Sequence, residues 1–299
     1  MTSVLTLIAD PLQERLDDSM LVPVRGALEA LGATVEAADW LAPATACDLP
    51  FSGAAEDAAH AAAARVLAGR RIDVIALPRA GRRKRVLVAD MESTIIRQEM
   101  LDEIGAEIGI GPRIAEITRR AMNGEIDFKG ALRERVGLLA GVPTRLLEDL
   151  KARIELMPGA AVLLATLKKH GVHTALVSGG FRTYTGFIRD RLGFDEDHAN
   201  ELETADGKLT GRAVEPILDK DSKLASLTRI AAEHQVPLAA TLTVGDGAND
   251  LPMLKAAGLG VAFRAKPVVA AEARARVDHG DLTALLYAQG YRQAEFAAG

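Results

Sequence analysis

The stretch Val86-Leu-Val-Ala-Asp90-Met-Glu92-Ser-Thr94 is a short apolar run that stops at two acids. Two later stretches share its form, Thr174-Ala-Leu-Val-Ser178-Gly-Gly and Leu242-Thr-Val-Gly-Asp246-Gly-Ala-Asn-Asp250. Each is followed by a helix-like segment, so each reads as a βα unit. Strands without a polar face predict a parallel sheet covered on both sides, which makes this a doubly wound α/β domain. Ligands in such sheets bind beyond the carboxyl ends of the strands. The three polar clusters, far apart in the chain, therefore meet on one edge.

Working outward, more than eighty residues separate Asp90 from the second strand, too many for a simple crossover. Residues 101–108, 113–122, 128–139 and 145–154 have helical spacing, punctuated by Gly109-Ile-Gly-Pro, Asn123-Gly and Gly141-Val-Pro. This predicts a helical insert over about 100–155, placed above the catalytic edge as a cap. Residues 199–204 and 209–214 flank Ala205-Asp-Gly-Lys, a hairpin signal.

On the amino-terminal side, residues 4–9, 34–38 and 72–77 read as strands, with helices at 21–31 and 54–67 ended by Gly32 and Gly69. The pattern is βαβαβ, a small unit over 1–80 that precedes a catalytic domain over 81–299. Ala80-Gly-Arg-Arg-Lys-Arg85 joins them and reads as a solvated linker.

Composition narrows the function classes. With 36 basic and 41 acidic residues in 299, the net charge of −5 argues against a general nucleic-acid binder. A single cysteine, Cys47, excludes a disulfide framework and any cysteine-based zinc site. No uncharged apolar run reaches the ~18 residues of a membrane span. The first residues show neither a basic segment nor a small-residue cleavage site, so the expected compartment is the cytoplasm.

The clusters themselves carry chemistry. Asp90 and Glu92, two apart on an extended segment, point the same way, so one can attack while the other moves a proton. Read alone they could equally cap the next helix, with Ser93 or Thr94 as the cap residue. Ser178 with Gly179 and Gly180 forms an anion site or an ordinary glycine turn. Asp246, Asn249 and Asp250 supply the hard oxygen ligands that suit Mg²⁺. Crowding Asp90, Glu92, Asp246 and Asp250 without a cation would cost heavily in repulsion. Lys223 is the cation to aim at a bound phosphate, with Lys220 as the alternative.

Taken in order, Asp-x-acid-x-Thr, Ser-Gly-Gly, Lys and Gly-Asp-Gly-x-Asn-Asp resemble the haloacid dehalogenase-like phosphatases, and among them those that act on phosphoserine. The resemblance covers about residues 86–287. It implies that Asp90 becomes an aspartyl-phosphate and that Glu92 is the general acid/base. The implied Mg²⁺ ligands are Asp90, Asp246 and the Glu92 carbonyl. Ser178, Gly179 and Lys223 would hold the phosphoryl group; Asn249 would lie near substrate, and Asp250 and Gly180 would support the site. In the cap, Glu99 would meet the substrate ammonium, Arg135 its carboxylate, and Met122 and Phe128 would close over it. On the residues alone, Glu99 and Arg135 read as solvated charges.

One position departs from the family pattern, which has Asp where this chain has Glu92. The amino-terminal unit resembles regulatory modules of the ACT type, implying association, with a homodimer as the expected form. Because every candidate residue follows Val86, residues 1–80 are expected to be dispensable for turnover. Competing readings are a phospho-accepting signalling domain, which needs no cap, an ion pump, which needs membrane spans, and a phosphatase or phosphotransferase for another small metabolite.

Overall fold

The computed structural model describes residues 2–299, with the side chains of Met122 and Lys220 outside the description. The first unit runs β1 (Ser3–Ala9), α1 (Asp18–Glu29), β2 (Thr34–Val35), β3 (Asp39–Ala42), β4 (Ala46–Ser52), α2 (Glu56–Val66) and β5 (Ile72–Pro78). Its sheet has the order β2-β4-β1-β5 with β3 also on β4, and the pairings are antiparallel. The expected βαβαβ alternation is therefore incomplete, because β3 and β4 were not legible. β4 reads Ala-Cys-Asp-Leu-Pro-Phe-Ser. Asp48 and Pro50 contradict a central strand locally, yet Asp48 is buried because Thr6 Oγ1 donates to it at 2.7 Å and Arg82 Nη2 at 2.5 Å.

The remainder begins with β6 (Val86–Ala89), then α3 (Met100–Glu107), α4 (Gly111–Met122), α5 (Phe128–Gly137), α6 (Thr144–Lys151) and α7 (Ala160–Lys169). Next come β7 (His173–Phe181), α8 (Arg182–Leu192), β8 (Glu196–Asn200), β9 (Leu202–Ala205), β10 (Lys208–Ala213) and α9 (Lys220–Glu233). β11 (Thr241–Gly245), α10 (Leu251–Ala256), β12 (Leu259–Phe263), α11 (Pro267–Glu272), β13 (Ala275–Val277) and α12 (Ala284–Ala288) complete it. The sheet order is β13-β12-β11-β6-β7-β8, with every neighbouring pair parallel.

Both faces are covered, as apolar strands require. Val86 and Val88 pack with Leu227 and Ile230 of α9 and Met253 of α10, while Leu87 and Ala89 pack on the opposite face with Leu163, Leu164 and Ile188 of α7 and α8. Burying each such aliphatic side chain contributes roughly 1.5–3 kcal/mol.

Helices α3 to α6 are a closed excursion. Ile96 bridges Leu156 in antiparallel fashion, Arg97 N donates to Glu155 O at 2.9 Å and Met157 N to Ile95 O at 2.9 Å. Exit and return segments thus lie side by side. The β9–β10 hairpin exists as expected, and Gly141 N donates to Leu209 O at 2.8 Å, tying it to the end of the helical excursion.

The two units share one apolar core, in which Ile8, Leu41, Ala46 and Ile75 join Leu285 and Tyr287 of α12. The basic segment is no solvated linker. Arg82 pairs with Asp48, Arg83 pairs with Glu295 at 2.8 Å and lies 4.0 Å over the Tyr291 ring, and Lys84 is buried on the carbonyls of Gly81 and Ala239. Its partners come from distant segments, which local composition cannot reveal.

Candidate active site

Strand β6 ends by delivering Asp90 to the carboxyl edge, where its N–H still donates to Val244 O of β11 at 3.0 Å. The side chain is buried, and its Oδ1 accepts from Met91 N at 2.8 Å and from Lys223 Nζ at 2.8 Å. Oδ2 has no donor among the described residues, and Asp90 lines a cavity of about 480 Å³. One oxygen is thus held, and the other carries no hydrogen bond among the described residues. Lys223, in the first turns of α9, also reaches Asp250 Oδ1 at 2.5 Å.

Asp246 and Asp250 follow β11. The carboxylate oxygens of Asp90, Asp246 and Asp250 lie within 4.8 Å of one another, all buried. Asp250 is oriented by Gly247 N, which donates to its Oδ2 at 2.9 Å, and Thr94 Oγ1 contacts Asp246 Oδ1 at 3.4 Å. Gly245 has no alternative, because a Cβ there would run into the Asp250 carboxyl. Burial, then the neighbouring Asp250 charge, pushes Asp246 up to about 6. Burial and the charges of Asp250 and Asp246 also raise Asp90, against the pull of Lys223. For Lys223, burial works against the charged form, but Asp90 and Asp250 outweigh it and hold the ammonium above its ordinary value. Three buried acids facing one buried lysine, with the exposed Lys266 beside Asp246, leave negative charge that a divalent cation would neutralise, and the donor set, all oxygen, fits a hard ion.

Glu92 is half-buried and lies across the glycine turn after β7. Its Oε1 accepts from Met100 N at 2.8 Å, and a Cβ on Gly180 would stand 2.6 Å from its Oε2. Burial and then the Glu99 charge raise its carboxyl to about 7. Ser178 is buried, and its Oγ accepts from Gly180 N at 2.9 Å, leaving the hydroxyl proton free to donate. Asn200 Nδ2 fixes the turn by donating to Gly179 O at 2.8 Å.

The far wall comes from α3, α4 and α5. Arg135 projects inward, its Nε on Ala131 O at 3.3 Å and its Nη1 on Thr118 Oγ1 at 3.4 Å. Burial lowers its pKa, and the charges of Asp102, Glu92 and Glu99 oppose that shift. Glu99 is exposed at the mouth, where Ser93 Oγ donates to its Oε1 at 2.7 Å. Phe128 packs over Gly179, where a Cβ would stand 3.2 Å from its Cζ.

Asp90, Glu92, Glu99, Phe128, Arg135, Ser178, Gly179, Gly180, Asp246 and Asn249 therefore line one cavity. Lys223 and Asp250 stand immediately behind Asp90. Met122 ends α4, but its side chain lies outside the described residues. Residues missed by sequence reasoning are Ser93, Asp102, Thr118 and Lys266. Ser93 and Asp102 neighbour quoted motifs and could have been found, Asp102 by its i,i+3 spacing from Glu99. Lys266 follows the unread strand β12, and its N–H donates to Asp246 O at 3.2 Å.

Residues 87–255 match the haloacid dehalogenase-like hydrolase family. The chain belongs to this family of hydrolases. Its similarity narrows further, to phosphoserine phosphatases. It is 42% identical to one from Streptomyces coelicolor over 86% of this chain and 63% of that protein, and 45% identical to one from Streptococcus thermophilus over 67% of this chain and 93% of that protein. The chain thus spans less than two thirds of the Streptomyces relative and nearly all of the streptococcal one. Among solved structures, a haloacid dehalogenase family hydrolase from Salmonella enterica serovar Typhi superposes with a TM-score of 0.86 at 28% identity, covering 97% of this chain and 98% of that one. A substrate-bound phosphoserine phosphatase superposes with a TM-score of 0.64 at 38% identity, covering 69% of this chain and 98% of that one.

Proposed function

We propose that this enzyme hydrolyses O-phospho-L-serine to L-serine and phosphate, the last step of serine biosynthesis, through an aspartyl-phosphate on Asp90. The observation that carries this reading is the polarity of the cavity. An anion-holding floor of Asp90, Ser178, Gly179 and Lys223 faces a wall that offers one carboxylate, Glu99, and one guanidinium, Arg135. A phosphate monoester bearing both an ammonium and a carboxylate complements those charges. The guanidinium fork suits a carboxylate in a way that an ammonium would not.

In this mechanism Asp90 Oδ2 attacks phosphorus in line, and the bond from phosphorus to the serine oxygen breaks. Glu92, raised to about 7, is about half protonated at neutral pH, and its protonated form gives its proton to the leaving oxygen. Glu92 then takes a proton from the water that attacks the aspartyl-phosphate, and phosphate leaves as the Asp90 carboxylate is restored. Lys223, Ser178 Oγ and the Gly179 N–H stabilise the phosphoryl oxygens throughout. Asp90, Asp246 and the Glu92 carbonyl, supported by Asp250, would hold Mg²⁺, which when bound supplies charge neutralisation at the phosphoryl group. Asn249 lies at the substrate side of the same loop.

The helical excursion serves as the cap and supplies the residues that select substrate. The amino-terminal unit, read as ACT-like, serves association, with a homodimer as the expected state, and the enzyme works in the cytoplasm on a small molecule rather than on nucleic acid or membrane. Among the described residues no helix is long and apolar enough to cross a membrane. The test is phosphate release from phosphoserine, phosphothreonine, phosphohomoserine and p-nitrophenyl phosphate, with and without Mg²⁺. Metal-dependent preference for phosphoserine supports the reading. Equal rates on all four substrates would refute the assigned substrate.

A further inference from the structure

Three of the six histidines in the chain gather at the opposite edge of the central sheet. His173 begins β7, His198 lies in β8 beside Glu196, and His234 caps the carboxyl end of α9. His173 Nε2 lies 2.8 Å from Glu196 Oε1, and the His173 and His234 rings stack at 3.8 Å. Ligand atoms of His173, Glu196 and His234 all fall within 4.8 Å of one another. The geometry points to a second divalent-metal site here, of the Zn²⁺ class, formed by His173, Glu196 and His234 and separate from the catalytic carboxylates.

The surroundings fit such a site. Two imidazoles and one carboxylate form a borderline donor set that suits Zn²⁺ and not Mg²⁺, which requires oxygen. Arg229 Nη2 holds Glu196 Oε2 at 2.9 Å, so Oε1 remains for the metal. Binding would replace the hydrogen now shared between His173 Nε2 and Glu196 Oε1. The ring proton then belongs on Nδ1, which stands 3.7 Å from Asp195 Oδ2. Asp195 is itself anchored by Thr174 N at 2.8 Å, Thr174 Oγ1 at 2.9 Å and Lys168 Nζ at 3.0 Å. At 3.7 Å this carboxylate is beyond hydrogen-bond reach and favours a protonated distal nitrogen through its charge. His234 is exposed, whereas His198 Nε2 is taken up by Glu196 Oε2 at 2.5 Å and Arg229 Nη2 at 2.6 Å, so the remaining coordination position falls to water.

The two sites lie at opposite ends of β7, since five residues from His173 to Ser178 span roughly 16 Å at the usual strand rise. Metal at the histidine site would pin the end of α9 to the amino edge of β7 and β8. The other end of that helix carries Lys223.

The experiment is calorimetric titration of untagged full-length protein with ZnSO₄ in a large excess of Mg²⁺, which fills the all-oxygen cluster. The wild type is expected to bind one Zn²⁺ per chain and to gain thermal stability. H173Q and H234Q should bind it at least about tenfold more weakly. D246N, altered only at the catalytic edge, should bind it normally. Because His234 is exposed, H234Q keeps the fold, which circular dichroism verifies. Absence of Zn²⁺ uptake by the wild type, or uptake lost in D246N and kept in H234Q, would overturn the assignment.

Discussion

Glu92 Oε1 accepts a hydrogen bond from the backbone N–H of Met100, the first residue of α3, at 2.8 Å. This hydrogen bond links the proposed general acid to the amino end of the first helix of the excursion, next to Glu99. A helix amino terminus carries positive potential and steadies the charged carboxylate, while burial favours the protonated form. The two influences oppose each other, and burial prevails, so the carboxyl stands at about 7.

Replacing Glu92 by Gln keeps its size and removes the transferable proton. Turnover of phosphoserine should fall by about 10²–10⁴-fold. With p-nitrophenyl phosphate, whose leaving group needs little protonation, rapid release of one equivalent of nitrophenol should precede a slow steady state. Stopped-flow absorbance checks this, and near wild-type turnover of phosphoserine would assign the proton to another group. Glu92→Asp should remain active but lose the tie to Met100, with a raised KM for phosphoserine.

Arg135→Ala should raise the KM for phosphoserine strongly, by one to two orders of magnitude, the scale set by a charge-assisted hydrogen bond of about 1.5–3 kcal/mol. Hydrolysis of p-nitrophenyl phosphate, which has no carboxylate, should change little. Parallel steady-state kinetics on the two substrates separate this role from a structural one, since equal losses would mean that Arg135 merely supports the wall.

Gly180→Ala introduces a Cβ 2.6 Å from Glu92 Oε2 and 3.0 Å from its Cδ. The carboxyl must move aside by about 1 Å, a displacement of the size that can cost about 10²-fold in rate. The variant should stay folded by circular dichroism and still form aspartyl-phosphate with p-nitrophenyl phosphate. A fully active variant would show that Glu92 tolerates displacement.

Stability should depend on pH in a metal-sensitive way. Glu92 is raised to about 7 and Asp246 to about 6, both primarily by burial. A carboxyl whose folded pKa exceeds its unfolded one takes up protons on folding. Its contribution is complete below the ordinary carboxylate range and is lost as pH rises through the folded value. The metal-free protein should therefore melt at a lower temperature at about pH 8 than at about pH 5, and a divalent cation should remove most of that difference. Thermal scans with chelator and with Mg²⁺ decide it; a Tm that rises from the lower pH to the higher without metal would contradict the assignment.

Asp73 tests the union of the two units. Its carboxylate on β5 accepts from the backbone N–H groups of Asp278 at 2.7 Å, His279 at 3.1 Å and Gly280 at 2.7 Å, in the loop after β13. Asp73→Ala leaves those donors without a partner and should destabilise the protein by about 3 kcal/mol, within the range for orphaned buried groups. Denaturant unfolding measures it, and a change under about 0.5 kcal/mol, as at an ordinary surface site, would mean that water replaces the carboxylate fully. The same contact bears on deletion of residues 1–80. That variant keeps every proposed catalytic residue but uncovers Leu285 and Tyr287, so it should retain turnover with a lower Tm.

The carboxyl edge of the sheet was legible because it obeys a local rule. An apolar strand with both faces covered has to end where polar groups can emerge, so Asp90, Ser178 and Asp246 announced themselves by position. The helical excursion was legible from its spacing and its glycine and proline punctuation. Thr118 and Lys266 had no such local signature. Which face of α4 turns inward depends on what it packs against, and Lys266 reaches the site only because β12 lies beside β11. The cations at Arg82 and Lys84 misled for the complementary reason. Their charges read as solvated until partners from distant segments bury them, and a buried charge is tolerated only where the fold brings its counterpart. Strand order, the facing of Glu99 and Arg135, and the tie from Glu92 to Met100 are likewise products of long-range packing, in which each contact depends on surfaces that exist only once the rest of the chain has folded.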